Sequence, residues 1–279
     1  MLATAPLPVL APLTAFLILL ELTCGTIAVS HVIDVAARVG RGFVGSTALI
    51  CAGVMGIAML IGANVPPDTA LLNGRFDGAA QEGVVHWCAG FAGALLVFAF
   101  FCAVGTNAAR RVVGWLTLLV GALSIVAAVR ALAGPLGSAA AVAACLVPAA
   151  LVSGSALAGM LLGHWYLVAP SLSFRPLRIA VNAILVALIA QAVTLAVVLA
   201  QSVPATRSRL LIGDYALAFW LLVIGAGILF SAGIALLARH FARMRANQPA
   251  TAMLYALIVS VLMGDVPAHL LFIASGTPV

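Results

Sequence analysis

The sequence contains no lysine, and charged residues of any kind make up only 7% of its 279 residues. Soluble domains carry about 25% charged residues, so a water-soluble fold of this composition could not cover its apolar surface. The chain also lacks a P-loop, a glycine-rich dinucleotide fingerprint, a GxSxG motif, an HExxH motif and any CxxC or CxxCH pair. These absences argue against a soluble catalytic domain built on the common nucleotide, hydrolase, zinc or covalent-haem motifs.

Apolar residues, which form 65% of the chain, are gathered into long runs that short clusters rich in proline and glycine interrupt. A helix rises 1.5 Å per residue, so about 20 apolar residues cross a hydrocarbon core of about 30 Å. The pattern predicts an all-α, polytopic integral membrane protein whose residues 1–279 form one helical bundle in the lipid bilayer. The eight predicted transmembrane helices cover approximately residues 8–31, 43–64, 84–105, 112–133, 139–165, 177–201, 211–238 and 251–274.

The first apolar run begins with MLATAPLPVLAPLTAF and has no basic segment before it. It is longer than the apolar core of a signal peptide, and it contains Glu21. We therefore expect a retained first helix and no cleaved signal.

The thirteen arginines predict the orientation of these helices. Nine lie in or beside the loops after predicted spans 1, 3, 5 and 7, and four (Arg75, Arg130, Arg207 and Arg209) lie on the other side. Positive residues favour the cytoplasmic side, so both termini are expected outside, which is the periplasmic side of a bacterial inner (cytoplasmic) membrane. Because the arginines are dispersed and no basic patch with interleaved aromatics occurs, the net charge of +6 does not indicate nucleic-acid binding.

An even number of helices permits two four-helix halves, residues 1–133 and 134–279, in parallel orientation. Predicted spans 1 and 5 both end with a histidine followed by arginines, in SHVIDVAARVGR and GHWYLVAPSLSFR. Aligning His31 with His164 brings few other identities. Internal duplication is therefore a hypothesis that an alignment of the halves would test.

Histidines fall at helix ends on different spans, at two depths. His86 and His269 lie towards the outer face, and His31 and His164 lie towards the inner face. Paired axial imidazoles from facing helices are what a haem b iron requires, so each pair is a candidate ligand set, and two haems would carry electrons across the bilayer. The alternative is that these are ordinary headgroup residues with one wet end, as Trp165 and Tyr166 beside His164 are.

Glu21 lies near the middle of the first predicted span, about 15 Å from His31 along the helix. A carboxyl group at that depth must be protonated, paired or beside water. We interpret Glu21 either as part of a route for protons or a quinol towards His31, or as a protonated acid hydrogen bonded to a neighbouring helix.

Asp265 and His269 share a face of the last predicted span, although Pro267 lies between them and should loosen that turn. The Asp265 carboxylate could orient the His269 ring or accept a quinol proton. A locally satisfied polar pair is the alternative. Span 6 adds Gln191 and Thr194, which we expect to form hydrogen bonds between helices.

Together these residues predict a membrane subunit of a respiratory-type electron-transfer system that binds haem b, a quinone or both. His31, His86, His164 and His269 would hold the haem iron, and Glu21 and Asp265 would handle protons. Its partners would be other membrane or periplasmic redox subunits, which the acidic loop with Asp68, Asp77 and Glu82 could face. Two alternatives remain: a small-molecule transporter with a polar site at mid-membrane, and a structural or assembly subunit without a cofactor.

Overall fold

The computed structural model describes residues 7–63, 78–134, 136–169 and 171–277. This part of the chain is entirely helical and contains no strand, as the composition predicted. The helices are α1 (Leu7–Ala37), α2 (Arg41–Gly62), α3 (Gly78–Val104), α4 (Asn107–Leu132), α5 (Ala139–Val168), α6 (Arg175–Gln201), α7 (Pro204–Leu211), α8 (Ala216–Arg243) and α9 (Asn247–Ser275).

Eight of these helices are long and apolar enough to cross a membrane, which confirms a multi-pass membrane protein. The remaining helix, α7, has eight residues and precedes α8. Successive spans run in opposite directions, so the connections α1–α2, α3–α4, α5–α6 and α8–α9 share one end of the bundle. Most of the described arginines lie there, and we name it the arginine-rich end: it carries Arg38, Arg41, Arg110, Arg111, Arg175, Arg178, Arg239, Arg243 and Arg245.

Several helices extend beyond the predicted spans. α1 continues to Ala37, six residues past the predicted end at His31, and α3 begins at Gly78, eight residues before His86. His240, which the sequence placed in a loop, belongs to the last turn of α8. The predicted ends were wrong at these points because hydropathy marks only the apolar part of a helix, whereas polar residues such as Asp34, Glu82 and Arg239 lie within the helices beyond it. Asp68 and Asp77 lie outside the described residues.

The spans pack as two sequential groups around α1 and α5. Helices α1 to α4 pack in chain order and α4 returns to α1, and α5, α6, α8 and α9 repeat this arrangement. The most extensive contact between the two groups joins α1 to α5. α1 is accordingly the most buried of the eight spans. The predicted duplication remains a prediction, because this packing alone does not establish common descent.

Glycines set the crossing of α1 and α5. A Cβ atom on Gly25 would overlap the carbonyl oxygen of Ala150, and a Cβ atom on Gly154 would overlap the backbone of Gly25. Since lipid supplies no hydrophobic force between helices, close backbone packing at small residues is a main source of their association. This crossing fixes α1 against α5 between Glu21 and His31.

A π-helical segment in α8, Phe219–Phe230, packs against α9. The two backbones approach at Gly227 and Gly264, where a Cβ atom on Gly264 would overlap Gly227. The carbonyl of Ala226 accepts hydrogen bonds from Ser231 (3.1 Å) and Ser260 (2.8 Å). These hydroxyl groups add side-chain hydrogen bonds at the end of the π-helical segment, where the i→i+5 backbone pattern returns to the α-helical one. This contact supports α9 at the residue directly before Asp265.

Candidate functional site

Buried polar side chains are concentrated along α1, the central helix. Glu21 is 1% exposed and lies near the middle of α1. Other buried polar residues of the same helix are Thr14, Thr23, Thr26, Ser30, His31 and Asp34. Burying a carboxyl group costs several kcal/mol unless it is neutralised or hydrogen bonded, so the partner of Glu21 is the first question about this site.

That partner is His269 of α9, also 1% exposed. Its Nε2 lies 3.0 Å from Glu21 Oε1, and its Nδ1 lies 2.9 Å from the backbone oxygen of Asp265. A carbonyl oxygen can only accept, so Nδ1 carries a proton and donates it. The contact between Nε2 and Oε1 then requires one further proton. That proton lies either on the imidazole, giving an ion pair, or on the carboxyl, giving a neutral pair.

Asp265 adds a second buried carboxyl group beside this pair. Its Oδ1 is 3.5 Å from Gln191 Nε2 of α6, a long hydrogen bond, and its Oδ2 has no hydrogen-bond partner among the described residues. One interpretation of the sequence was that the Asp265 carboxylate orients the His269 ring. In the structure the backbone carbonyl of Asp265 does this, and the carboxyl that meets the ring is Glu21. α9 runs through Pro267 as one helix.

A small cavity of about 20 Å³ adjoins these groups. Gln191, Thr194, Asp265 and His269 supply its polar lining, and apolar side chains of α5, α6, α8 and α9 supply the rest. This volume holds one water molecule, which needs about 10–15 Å³ and two or more polar partners. We name Glu21, Gln191, Asp265 and His269 the Glu21 cluster.

The Glu21 cluster contains two carboxyl groups, one imidazole and no arginine. In the described part of the chain, neither carboxyl group forms an ion pair with a guanidinium. Two carboxylates with a neutral imidazole carry a charge of −2, so electrical neutrality requires two further protons, distributed over Glu21, Asp265 and His269. Releasing one would leave a net negative charge away from water, which is costly unless another cation or water compensates it. The arrangement is chemically suited to holding and exchanging protons.

A second polar cluster lies nearer the arginine-rich end of α1. Asp34 Oδ2 is 2.8 Å from Arg110 Nη1 of α4, and both side chains are almost fully buried. Asp34 Oδ1 accepts a hydrogen bond of 2.9 Å from the backbone N–H of Gly40, in the α1–α2 connection. This ion pair ties α1 to α4 and to the connection after α1.

His31 lies next to that pair but is not hydrogen bonded to it. The ring is 1% exposed and meets Trp115 and Phe98 edge-on, with centroids 5.0 Å and 5.6 Å away. A Cβ atom on Gly114 would overlap the imidazole, so glycine is required there for the ring to fit. Neither ring nitrogen has a hydrogen-bond partner among the described residues. We name His31, Asp34 and Arg110 the Asp34 cluster.

The predicted haem pairs have different surroundings. His164 is exposed, with its Nδ1 3.5 Å from the Tyr255 hydroxyl of α9, whereas His31 is enclosed by side chains of α3 and α4. His86 is exposed on α3, where its Nδ1 donates to the Glu82 carbonyl at 2.7 Å. No described hydrogen bond or ring contact joins the members of either pair.

The chemistry of His269 also fits an iron ligand poorly. Both of its ring nitrogens have hydrogen-bond partners, so coordination would require loss of the Glu21 contact. His31 has two nitrogens without partners and fits better in this respect. No group of three or more metal-ligating side chains occurs among the described residues. The haem ligand sets therefore remain predictions.

Sequence reasoning singled out Glu21, Gln191 and the pair of Asp265 and His269, and the fold joins them. It missed Asp34 and Arg110, which together form the one ion pair to an arginine among the described residues. The available signal was Asp34 itself, an acid three residues after His31 in a segment that hydropathy had placed outside the first span.

No known protein-family model and no curated protein matches this chain.

Proposed function

We propose that this protein is a proton-coupled transporter of a small solute, in which Glu21, Asp265 and His269 form the proton-binding site. One observation carries the proposal: the buried contact of 3.0 Å between Glu21 Oε1 and His269 Nε2, next to a second buried carboxyl group. Ionisable residues are expensive inside a membrane, and they commonly mark proton relays and ion pathways.

The location of the cluster supports coupling between proton binding and a change of shape. Glu21 belongs to the first group of four spans, and Gln191, Asp265 and His269 belong to the second. Transporters built from two such groups bind substrate and coupling ion near mid-membrane at their interface and move one group against the other. A rearrangement at the α1–α9 contact would separate Glu21 from His269 and so change which of them retains the shared proton.

The surroundings of the site also support transport. The cavity beside Asp265 provides room for a water molecule, and the π-helical segment of α8 and Pro267 of α9 interrupt regular hydrogen bonding near it. Irregular helices at membrane depth are typical of sites that line a cavity. The solute would enter by widening this cavity in another conformation.

For its location, we propose a bacterial inner membrane with the arginine-rich end on the cytoplasmic side and both termini periplasmic. The support is the distribution of arginines, nine of thirteen at one end.

Infrared difference spectroscopy tests the proton site without knowledge of the solute. The purified protein in lipid is taken through a change of pH while the stretch of protonated carboxyl groups is recorded. We expect a band that titrates in the wild type and is reduced in both Glu21→Gln and Asp265→Asn. Glu82→Gln, the same type of change at an exposed residue of α3, should leave the band unchanged. A wild-type spectrum with no such band would reject the proposal.

Transport itself is measured in proteoliposomes that contain a pH-sensitive dye. Solutes of different classes are added outside, and the internal pH is followed. One class should move protons in the wild type and in Glu82→Gln but not in Glu21→Gln. Solute-driven proton movement that survives in Glu21→Gln would show that this cluster is not the coupling site.

The second candidate function is the electron-transfer subunit, which would bind haem b, a quinone or both and exchange electrons with a redox partner. It is favoured by one observation, the buried His31 ring whose two nitrogens have no described partner. Glu21 and Asp265 would then accept quinol protons. A reduced-minus-oxidised absorption spectrum of protein purified in mild detergent separates the candidates: a haem b band that His31→Phe removes would favour electron transfer over transport, and a colourless preparation would favour transport.

A further inference from the structure

The arginine-rich end contains an open cleft between the start of α6 and the end of α8. Its volume is about 310 Å³. All of the residues that line it except Ile179 are polar: Arg175, Arg178, Ile179, Asn182, Arg239 and Arg243. No carboxylate is among them.

Four guanidinium groups face one cleft without a counter-charge. On α6, Arg175, Arg178 and Asn182 follow each other at intervals of three and four residues and so share a helix face. Arg239 and Arg243, four residues apart, do the same on α8. None of the four guanidinium groups forms an ion pair or hydrogen bond with another described residue. Like charges so arranged repel each other, and a bound anion relieves that repulsion.

The direction of α6 gives an independent reason to expect an anion. Basic residues are stabilised at the C-terminus of a helix, as Arg243 is in the last turn of α8. Arg175 and Arg178 occupy the first turn of α6, where the helix dipole is unfavourable for positive charge. The residue that caps this helix, Phe174, supplies no side-chain acceptor to the free N–H groups. An anion here would satisfy both the arginines and the helix terminus.

The depth of the cleft in the membrane indicates which kind of anion would bind there. It lies at the ends of two spans, where arginines meet lipid headgroups. Towards the middle of the membrane the surfaces of these helices become apolar and exposed, at Leu236 on α8 and Val186 on α6. A phospholipid would place its phosphate among the guanidinium groups and its acyl chains against these side chains. Basic clefts between transmembrane helices commonly bind anionic lipid headgroups.

We propose that this cleft is a binding site for the phosphate of an anionic phospholipid from the adjoining leaflet. The guanidinium groups of Arg175, Arg178, Arg239 and Arg243 would hold the phosphate oxygens, and the amide of Asn182 would hold a further headgroup oxygen. The site is separate from the Glu21 cluster and does not depend on the proposed transport function.

Native mass spectrometry of the detergent-solubilised full chain tests this site. The probes are phosphatidylglycerol, cardiolipin, phosphatidylcholine and inorganic phosphate, each titrated separately. The test variant is R175Q/R243Q. The matched control is R38Q/R245Q, which removes two exposed arginines from the same end outside the cleft. Both variants therefore have the same net charge.

We expect the wild type and the control to bind an anionic lipid at least about tenfold more tightly than phosphatidylcholine, and R175Q/R243Q to lose about tenfold in that affinity. An equal loss in the control would show a general surface charge effect and overturn the proposal. Inorganic phosphate binding without lipid preference would also overturn it, in favour of a soluble phosphate ligand. If R175Q/R243Q is not monodisperse on gel filtration, R243Q alone serves, with R245Q as its control.

Discussion

The Glu21 cluster and the Asp34 cluster both depend on α1, and both are buried, but only the Asp34 cluster contains an arginine. A guanidinium does not release its proton in proteins, so the charge of Arg110 is permanent and Asp34 neutralises it. The ionisable groups of the Glu21 cluster are two carboxyl groups and an imidazole, side chains that can take up and release protons. The first kind of cluster fixes helices in place, and the second can change its charge state.

α1 therefore carries two contacts at different depths. The Asp34–Arg110 ion pair has fixed charges, and the Glu21–His269 contact holds a proton that can be exchanged. Asp34 ties α1 to α4, within the first group of spans, near the arginine-rich end. Glu21 joins α1 to α9, across the two groups, near the middle of the helix. Under the proposed function, a change in protonation would alter the contact between groups while the first group keeps its own packing. The predictions below test this difference.

The largest effect should come from Arg110→Ala. It leaves the Asp34 carboxylate buried without its partner, and breaking a buried pair in this way costs about 3–5 kcal/mol. The free energy of unfolding in mixed micelles measures the loss. Arg41→Ala, at an exposed arginine nearby, should cost less than about 1 kcal/mol. A loss below that level for Arg110→Ala would mean that the ion pair does not hold α1 in place.

Gly25→Ala should come next, because it affects both clusters at once. The added methyl group would overlap the Ala150 carbonyl and push α1 away from α5, at a cost of about 1–3 kcal/mol. Gly53→Ala on α2 is the matched control, since a Cβ atom there meets nothing within 4 Å. That control should be neutral or stabilising by about 0.5–1 kcal/mol. Equal behaviour of the two variants would contradict the close crossing.

Glu21→Gln and Asp34→Asn should have opposite effects. Glutamine retains the size of Glu21 and an acceptor for His269, so the fold should persist while solute-driven proton movement in proteoliposomes falls to background. Asparagine at position 34 leaves Arg110 buried without a counter-charge, so thermal stability should fall while the surviving protein still moves protons. If Asp34→Asn abolished proton movement and Glu21→Gln only lowered stability, the Asp34 cluster would be the proton-coupling site and the Glu21 cluster the structural one.

Gln191→Leu should have the smallest effect. It removes the long hydrogen bond of 3.5 Å to Asp265, and side-chain hydrogen bonds in membrane proteins contribute about 0.6 kcal/mol on average. The expected result is a loss of stability below about 1 kcal/mol with a measurable change in the carboxyl infrared band. Gln201→Leu, at the exposed end of α6, is the control and should leave that band unchanged.

Parts of the candidate site could be recognised before the fold was known. Glu21 and Asp265 were identifiable because an acid within an apolar run is rare and expensive. Their partners were not identifiable, since His269 is 248 residues from Glu21 and Gln191 is 74 residues from Asp265. The depth of each histidine followed from its position in a span, but depth does not say which neighbour a ring faces. His31 and His164 illustrate this limit, because they were assigned to similar depths and yet have different surroundings in the structure.

The sequence by itself determined that the chain is a helical membrane protein with eight spans. A water-soluble fold cannot cover so much apolar surface, and lipid requires the backbone hydrogen bonds to be made within each helix. It also determined which few residues are costly at that depth. Only the tertiary structure decided that Glu21 meets His269 and that Asp34 meets Arg110. The physical reason is that these contacts depend on helix rotation and crossing, which close packing at residues such as Gly25 and Gly154 sets and which the hydropathy of a single helix does not contain.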